Sequence, residues 1–202
     1  MGPEVQKLDP ASVSGAVLER AVEVLKSGGL LAFPTETFYA LGAHALDAGA
    51  VRRVFDLKGR AWSKPLLVLV DSIAMAERIA LVGESARALM ARHWPGALTL
   101  VLPVRSELPA ELTAGTSTIG VRLSPHWLAR ALVAGLGGPI TAPSANPSGA
   151  PPPTTAHEVL AYFGGALPLL LDGGPAAGGS PSTVVDMTGD APRVLREGAV
   201  RL

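Results

Sequence analysis

Two arginines stand inside apolar runs that read as strands: Arg122 in Ile119-Gly120-Val121-Arg122-Leu123 and Arg196 in Val194-Leu195-Arg196-Glu197-Gly198. A guanidinium in an apolar strand is costly unless paired, so each calls for an internal carboxylate or an anionic ligand. A second concentration of charge lies upstream. From residue 52 to residue 64 the cations Arg52, Arg53, Lys58, Arg60 and Lys64 face only Asp56, a local charge of +4 in a chain whose seventeen Lys+Arg balance seventeen Asp+Glu. Such a field suits a polyphosphate or a nucleic-acid backbone. A solvated helix face would explain Arg52 and Arg53. It explains Lys58-Gly59-Arg60 less well, because that triplet follows the helix and precedes a strand.

Three polar loops follow short apolar runs. Pro34-Thr35-Glu36-Thr37-Phe38-Tyr39-Ala40-Leu41-Gly42 sets two threonines, a carboxylate and aromatics at the carboxyl end of a strand, where open α/β sheets bind ligands. It can equally be a capped turn leading into a helix, with Thr35 or Thr37 satisfying backbone amides. Ala142-Pro143-Ser144-Ala145-Asn146-Pro147-Ser148-Gly149 is rich in small residues that let backbone amides approach a ligand, although a plain Pro/Gly loop looks the same. Ser180-Pro181-Ser182-Thr183-Val184-Val185-Asp186 places hydroxyls at a strand start.

Much chemistry is excluded. The chain has no Cys, which removes disulfides, thiolate metal sites and a thiol nucleophile, and its four His lack metal-ligand spacing. GxxxxGK[ST], GxGxxG and GxSxG are all missing. The N-terminus lacks a basic and apolar leader pattern, and no apolar run approaches the roughly 18 residues of a membrane span, so a soluble cytoplasmic chain is expected. Hydrophobic residues make up 48% and charged residues 17% of the 202, which rules out global disorder.

The elements that must position these residues alternate. Helices are expected over 13–27, from an Asp47 cap, after Asp71-Ser72, over 84–93, over 125–136 with Pro125 early, and from Thr154 or Thr155 to Phe163. Strands are expected at 30–33, 66–70, 97–104, 118–123, 139–142, 167–171, 182–187 and 193–196. This is a single α/β domain over 1–202, an open twisted mixed sheet flanked by helices with a basic ligand groove. The groove should gather Lys58, Arg60, Arg122 and Arg196.

The order PTETxYxLG, KGR, KPL, WPGxLTLVL, TxGVR, PSANxSG, STVVD and LRxG, from about residue 30 to 198, resembles the YrdC/TsaC family of L-threonylcarbamoyladenylate synthases. It looks like the short form, without an extra C-terminal domain. The resemblance implies the reaction of L-threonine, bicarbonate and ATP to threonylcarbamoyl-AMP, pyrophosphate and water, for tRNA threonylcarbamoyladenosine formation. It implies a nucleotidyltransferase that uses Mg²⁺ with ATP, and RNA or tRNA-modification proteins as further partners. It carries Lys58 and Arg60, as the catalytic cations, onto the triphosphate. Thr118, Ala142, Ser144, Asn146 and Arg196 go to the nucleotide, and Thr35, Arg122 and Ser182 to threonine. No metal ligand is assigned to the protein. Catalysis would be positioning and electrostatics in a site that excludes water from a labile carbamate.

Three positions depart from the family pattern. Leu69 replaces the His of NPLxVH, Pro152 stands where Ser or Thr often follows the SAN motif, and Trp62-Ser63 follows Arg60-Ala61 where relatives place Pro after the Arg. A non-catalytic double-stranded RNA-binding or ribosome-associated module of the same fold is the alternative, supported by the +4 run and opposed by the zero net charge.

Overall fold

The computed structural model describes residues 3–9, 15–105 and 107–202. Among the described residues ten strands form two open mixed sheets where one was expected. Strands β1 (Glu4–Lys7), β2 (Leu31–Pro34), β3 (Tyr39–Gly42) and β8 (Leu169–Asp172) make a four-stranded sheet in the order β1-β8-β2-β3. Strands β4 (Leu67–Leu69), β5 (Leu98–Pro103), β6 (Thr118–Arg122), β7 (Ile140–Thr141), β9 (Thr183–Asp186) and β10 (Arg193–Arg196) make a six-stranded one, β10-β9-β5-β6-β4-β7. Parallel and antiparallel pairs are mixed in both: β2 runs parallel to β8 and antiparallel to β3, while β6 runs antiparallel to β5 and parallel to β4.

The sheets meet along β3. Leu41 N–H donates to Pro143 O at 2.8 Å, Ala145 N–H to Tyr39 O at 2.8 Å, and Thr141 N–H to Ala43 O at 3.0 Å. The serine–asparagine loop is therefore laid along the free edge of the small sheet, while its root, β7, belongs to the large one.

Helices α1 (Gly15–Lys26), α2 (Ala48–Lys58), α3 (Ile73–Ile79), α4 (Glu84–His93), α5 (Ala110–Thr113), α6 (Trp127–Leu136) and α7 (Ala156–Phe163) flank the sheets. Residues 13 and 14 of the first expected helix lie outside the described residues. The caps read from sequence are formed. Asp47 accepts from Gly49 and Ala50 N–H at 2.8 and 3.1 Å, Ser72 from Met75 N–H at 3.1 Å, and Thr155 and Glu158 close a capping box on α7. Pro125 is not inside α6: His126 is the N-cap, and Pro125 precedes it. Gly59 ends α2 at φ +57°, a left-handed position that turns the chain sharply between Lys58 and Arg60.

Strands β1 and β3 and the short α5 were not expected. β3 reads as a continuation of the polar loop, yet all four of its residues are buried and pair with β2 as a hairpin. No described helix is long and apolar enough to cross a membrane.

Candidate functional site

The hairpin turn between β2 and β3 is built by Thr35. Its hydroxyl donates to Phe38 O at 2.7 Å and accepts the Thr37 and Phe38 amides at 3.3 Å each, with Thr37 Oγ1 at 3.2 Å. The capped-turn reading thus holds, but for a hairpin rather than a helix. The turn leaves Thr35, Thr37 and Phe38 along an open cavity of about 660 Å³, which Arg122, Ser182 and Arg196 also line.

Arg122 closes β6 with only 4% of its side chain exposed. Its partner is internal: Nη1 lies 3.0 Å from Glu36 Oε1, and Ser124 Oγ donates to the other Glu36 oxygen. Burial pushes the guanidinium pKa down, Glu36 pushes it back up, and Arg196 lowers it as a neighbouring like charge. Among the described residues Arg122 Nε is buried without a hydrogen-bond partner. Of the two partners that an arginine in an apolar strand requires, this one has the carboxylate in place and still keeps a donor in reserve.

A second open cavity, of about 980 Å³, adjoins the first and is lined by Lys58, Arg60, Thr99, Thr118, Gly120 and Leu195 among others. Lys58 ends α2 almost fully buried. Its ammonium donates to Asn146 O at 2.6 Å and to Ser144 O, and Ser148 N–H returns a bond to Lys58 O at 2.8 Å. Lys58 therefore splints the serine–asparagine loop from below. Burial, with Arg60 adding like charge, pushes its pKa down to about 8. Arg60 bonds its own loop, Nε to Lys64 O at 3.1 Å and Nη2 to Pro65 O at 2.9 Å.

Leu67, Ser144 and Arg196 line both cavities, so the two form one cleft with two ends. Arg196 reaches the seam from exposed β10 and is steadied by Ser182, whose carbonyl accepts Nε at 3.1 Å and Nη2 at 2.7 Å. Ser182 Oγ in turn meets Thr99 Oγ1 at 3.0 Å.

The expected groove thus assembles, with Lys58, Arg60, Arg122 and Arg196 all on its walls. Thr35, Arg122 and Ser182 share the smaller cavity, while Lys58, Arg60 and Thr118 share the larger. Ala142, expected at the nucleotide, lines the smaller cavity. Asn146 lines neither; its amide donates to Pro147 O at 2.9 Å and Ala150 O at 2.8 Å, which shapes the loop. Sequence reasoning missed Glu36 as the arginine's counter-ion, and Phe38, Thr99 and Leu195 as walls. The signal for Glu36 was present, since a buried arginine demanded a carboxylate and Glu36 stood in a polar loop.

The +4 run is not a continuous basic surface. Arg52 pairs with Glu111, Nε to Oε1 at 2.8 Å, and Arg53 Nε donates to Gly28 O at 3.0 Å across to the end of α1. Of the three departures, Leu69 is buried and lines neither cavity, Pro152 lines the smaller, and Trp62 is half-exposed with its ring stacked on Phe55 at 4.5 Å.

A family model named for Sua5, YciO and YrdC, described as "Telomere recombination", matches residues 23–198. The chain belongs to the Sua5/YciO/YrdC family. Within it, the chain is 44% identical over 183 residues to a threonylcarbamoyl-AMP synthase of Pyrococcus abyssi, covering 90% of this chain and 54% of that protein. It is 40% identical over 198 residues to a threonylcarbamoyl-AMP synthase of Bacillus subtilis, covering 97% and 57%. The crystal structure of P. abyssi Sua5 complexed with L-threonine superposes with a TM-score of 0.91 at 41% identity, over 96% of this chain and 57% of that one. The chain thus spans a little over half the length of these relatives.

Proposed function

We propose that this chain joins L-threonine, bicarbonate and ATP into threonylcarbamoyl-AMP, releasing pyrophosphate and water. The observation that carries the reading is the two-ended cleft. The smaller end holds a buried arginine, the larger end holds Lys58 and Arg60, and Arg196, Ser144 and Leu67 form the seam. The names of the Sua5-type relatives and the threonine complex support it.

In this reading the threonine carboxylate takes the donor that Arg122 Nε holds in reserve, and Thr35 and Ser182 border the rest of the amino acid. The threonine nitrogen attacks the bicarbonate carbon. Of the two protons the ammonium gives up, one leaves with a bicarbonate oxygen as water and one goes to solvent. A carbamate oxygen then attacks the α-phosphorus, and the bond from that phosphorus to the bridging oxygen breaks as pyrophosphate departs. No side chain needs to become a covalent nucleophile. The chain's residues hold the reactants in line and offer positive charge where negative charge accumulates.

Mg²⁺ would accompany ATP. Among the described residues the larger cavity is lined by cations, hydroxyls and apolar groups without a carboxylate, so the ion would be held through the phosphates and help to neutralise them. Transfer of the product toward tRNA, and a place for the chain in threonylcarbamoyladenosine formation, belong to the same proposal.

The test is pyrophosphate release by the purified chain, with each reactant omitted in turn. Release that needs all three supports the reading; salt-sensitive RNA binding without turnover would replace it with the RNA-binding alternative. Arg122→Ala removes a charged donor, an effect of ~1.5–3 kcal/mol, and should weaken threonine binding roughly 10- to 150-fold at saturating ATP. A folded variant that binds threonine as wild type does would make Arg122 a structural partner of Glu36 only.

A further inference from the structure

The hydroxyls on the smaller cavity are unevenly committed. Thr35 has one proton, and it goes to Phe38 O at 2.7 Å. In the 3.2 Å contact between the two hairpin threonines it is therefore Thr37 that donates to Thr35. Tyr39 donates to Gly174 O at 2.7 Å. All three residues line the smaller cavity, and their protons are used inside the protein.

Ser182 lines the same cavity and stands differently. Its hydroxyl oxygen accepts Arg196 Nη2 at 3.1 Å and meets Thr99 Oγ1 at 3.0 Å. Ser182 and Thr99 are both almost fully buried, at 3% and 2% exposure, and Thr99 lines the larger cavity, so the two hydroxyls cross the wall between the ends. Either could donate, and the remaining partners decide. If Ser182 donated, the Thr99 proton would have no acceptor among the described residues, and a buried donor without a partner is costly. If Thr99 donates, Ser182 accepts twice with its two lone pairs and its own proton is left for the smaller cavity.

The backbone makes Thr99 a firm platform. β5 is paired on both sides, with Thr99 opposite Val184 of β9 and Val101 opposite Gly120 of β6. The Thr99 methyl lies beside Gly120, where an added Cβ would stand 3.5 Å from it. A β-branched side chain has few rotamers, so a held methyl keeps the hydroxyl aimed at Ser182.

Resting on the synthase reading, we propose that Thr99 is a positioning residue for threonine: its hydroxyl donates to Ser182 and so turns the Ser182 proton toward an oxygen of the bound amino acid. Thr99 acts through Ser182 in this arrangement. Were Ser182 the donor and Thr99 turned to the nucleotide, loss of the Thr99 hydroxyl would fall on ATP instead.

Thr99→Val keeps the shape and removes the hydroxyl, whereas Thr99→Ser keeps the hydroxyl. Each is made in wild type and in a Ser182→Ala background. Threonine affinity at saturating ATP and ATP affinity are measured by calorimetry, and threonine KM and kcat by pyrophosphate release. Expected for Thr99→Val are threonine affinity weakened roughly 3- to 10-fold with KM raised to match, and kcat and ATP affinity within about twofold of wild type. Thr99→Ser should bind threonine nearly as wild type does. In the Ser182→Ala background Thr99→Val should add nothing, because the group through which it acts is gone. Unchanged threonine affinity, a loss confined to ATP, or a loss of the same size in both backgrounds overturns the assignment. Should wild type bind threonine with this coupling intact yet release no bicarbonate-dependent pyrophosphate, the positioning role stands and the synthase reading falls.

Discussion

The two ends of the cleft each bury a cation, and they compensate it in opposite ways. In the smaller cavity, Arg122 is set against the Glu36 carboxylate, with Ser124 holding the second oxygen. In the larger cavity, Lys58 is held by the carbonyls of Ser144 and Asn146, dipoles without net charge. A matched ion pair keeps its cation protonated and adds little net field. A cation solvated by carbonyls keeps its full charge for a ligand, and it can also lose its proton when burial makes charge costly. The smaller cavity is thereby built for fixed geometry, and the larger for attraction of a highly charged group.

The largest effect expected from breaking this contrast is at Glu36. Glu36→Leu leaves Arg122 buried without a counter-charge, which should cost about 3–5 kcal/mol in a urea titration read at unchanged slope. Combining it with Arg122→Met should recover much of the loss, because an apolar pair of similar size has no charge to desolvate. If Glu36→Leu alone is neutral, the ion pair is not what holds this end together.

A middle-sized effect concerns pH at Lys58. Its folded-state pKa of about 8 lies below the usual 10.5, so between those values the unfolded chain holds the proton more tightly. The penalty of the buried ammonium is fully present below about pH 8 and is relieved as pH rises through that window, so this group's contribution to stability increases with pH. ATP affinity should move the other way, falling by up to about tenfold per pH unit above pH 8 as the charge is lost. Calorimetric ATP titrations across that range check both the sign and the midpoint. Lys58→Met should bind ATP weakly and show no such step. A step that persists in the variant would place the titrating group elsewhere.

The smallest effect is expected outside the cleft. Arg52 belongs to the same basic run as Lys58 and Arg60, yet it pairs with Glu111 at the surface. Arg52→Ala should change stability by about 0–1 kcal/mol and leave ATP affinity as it is. A loss of ATP binding comparable with that of Lys58→Met would show that the whole run acts as one field, and that the local partners matter less than the sum of charge.

Much of this arrangement is legible in the sequence. Helix caps such as Asp47 and Thr155 involve a side chain and amides two or three residues away, so local order is enough to read them. The buried strands follow from short apolar runs bounded by Gly and Pro. The cost of an arginine in an apolar strand identifies Arg122 as a group in need of a partner; the same expectation fails for Arg196, because β10 is exposed along its whole length. What sequence order leaves open is which partner a buried charge takes. Glu36 and Arg122, or Lys58 and Asn146, are separated by more than 80 residues and meet only because β3 lies along the 143–146 loop and the two sheets join there. β3 itself was hidden because its four buried residues follow a polar turn without a change in composition, and pairing with β2 makes them a strand. The residue types thus determine which charges must be answered. The tertiary structure decides how, because pairing energy in a low-dielectric interior depends on distances that only the packed sheets set.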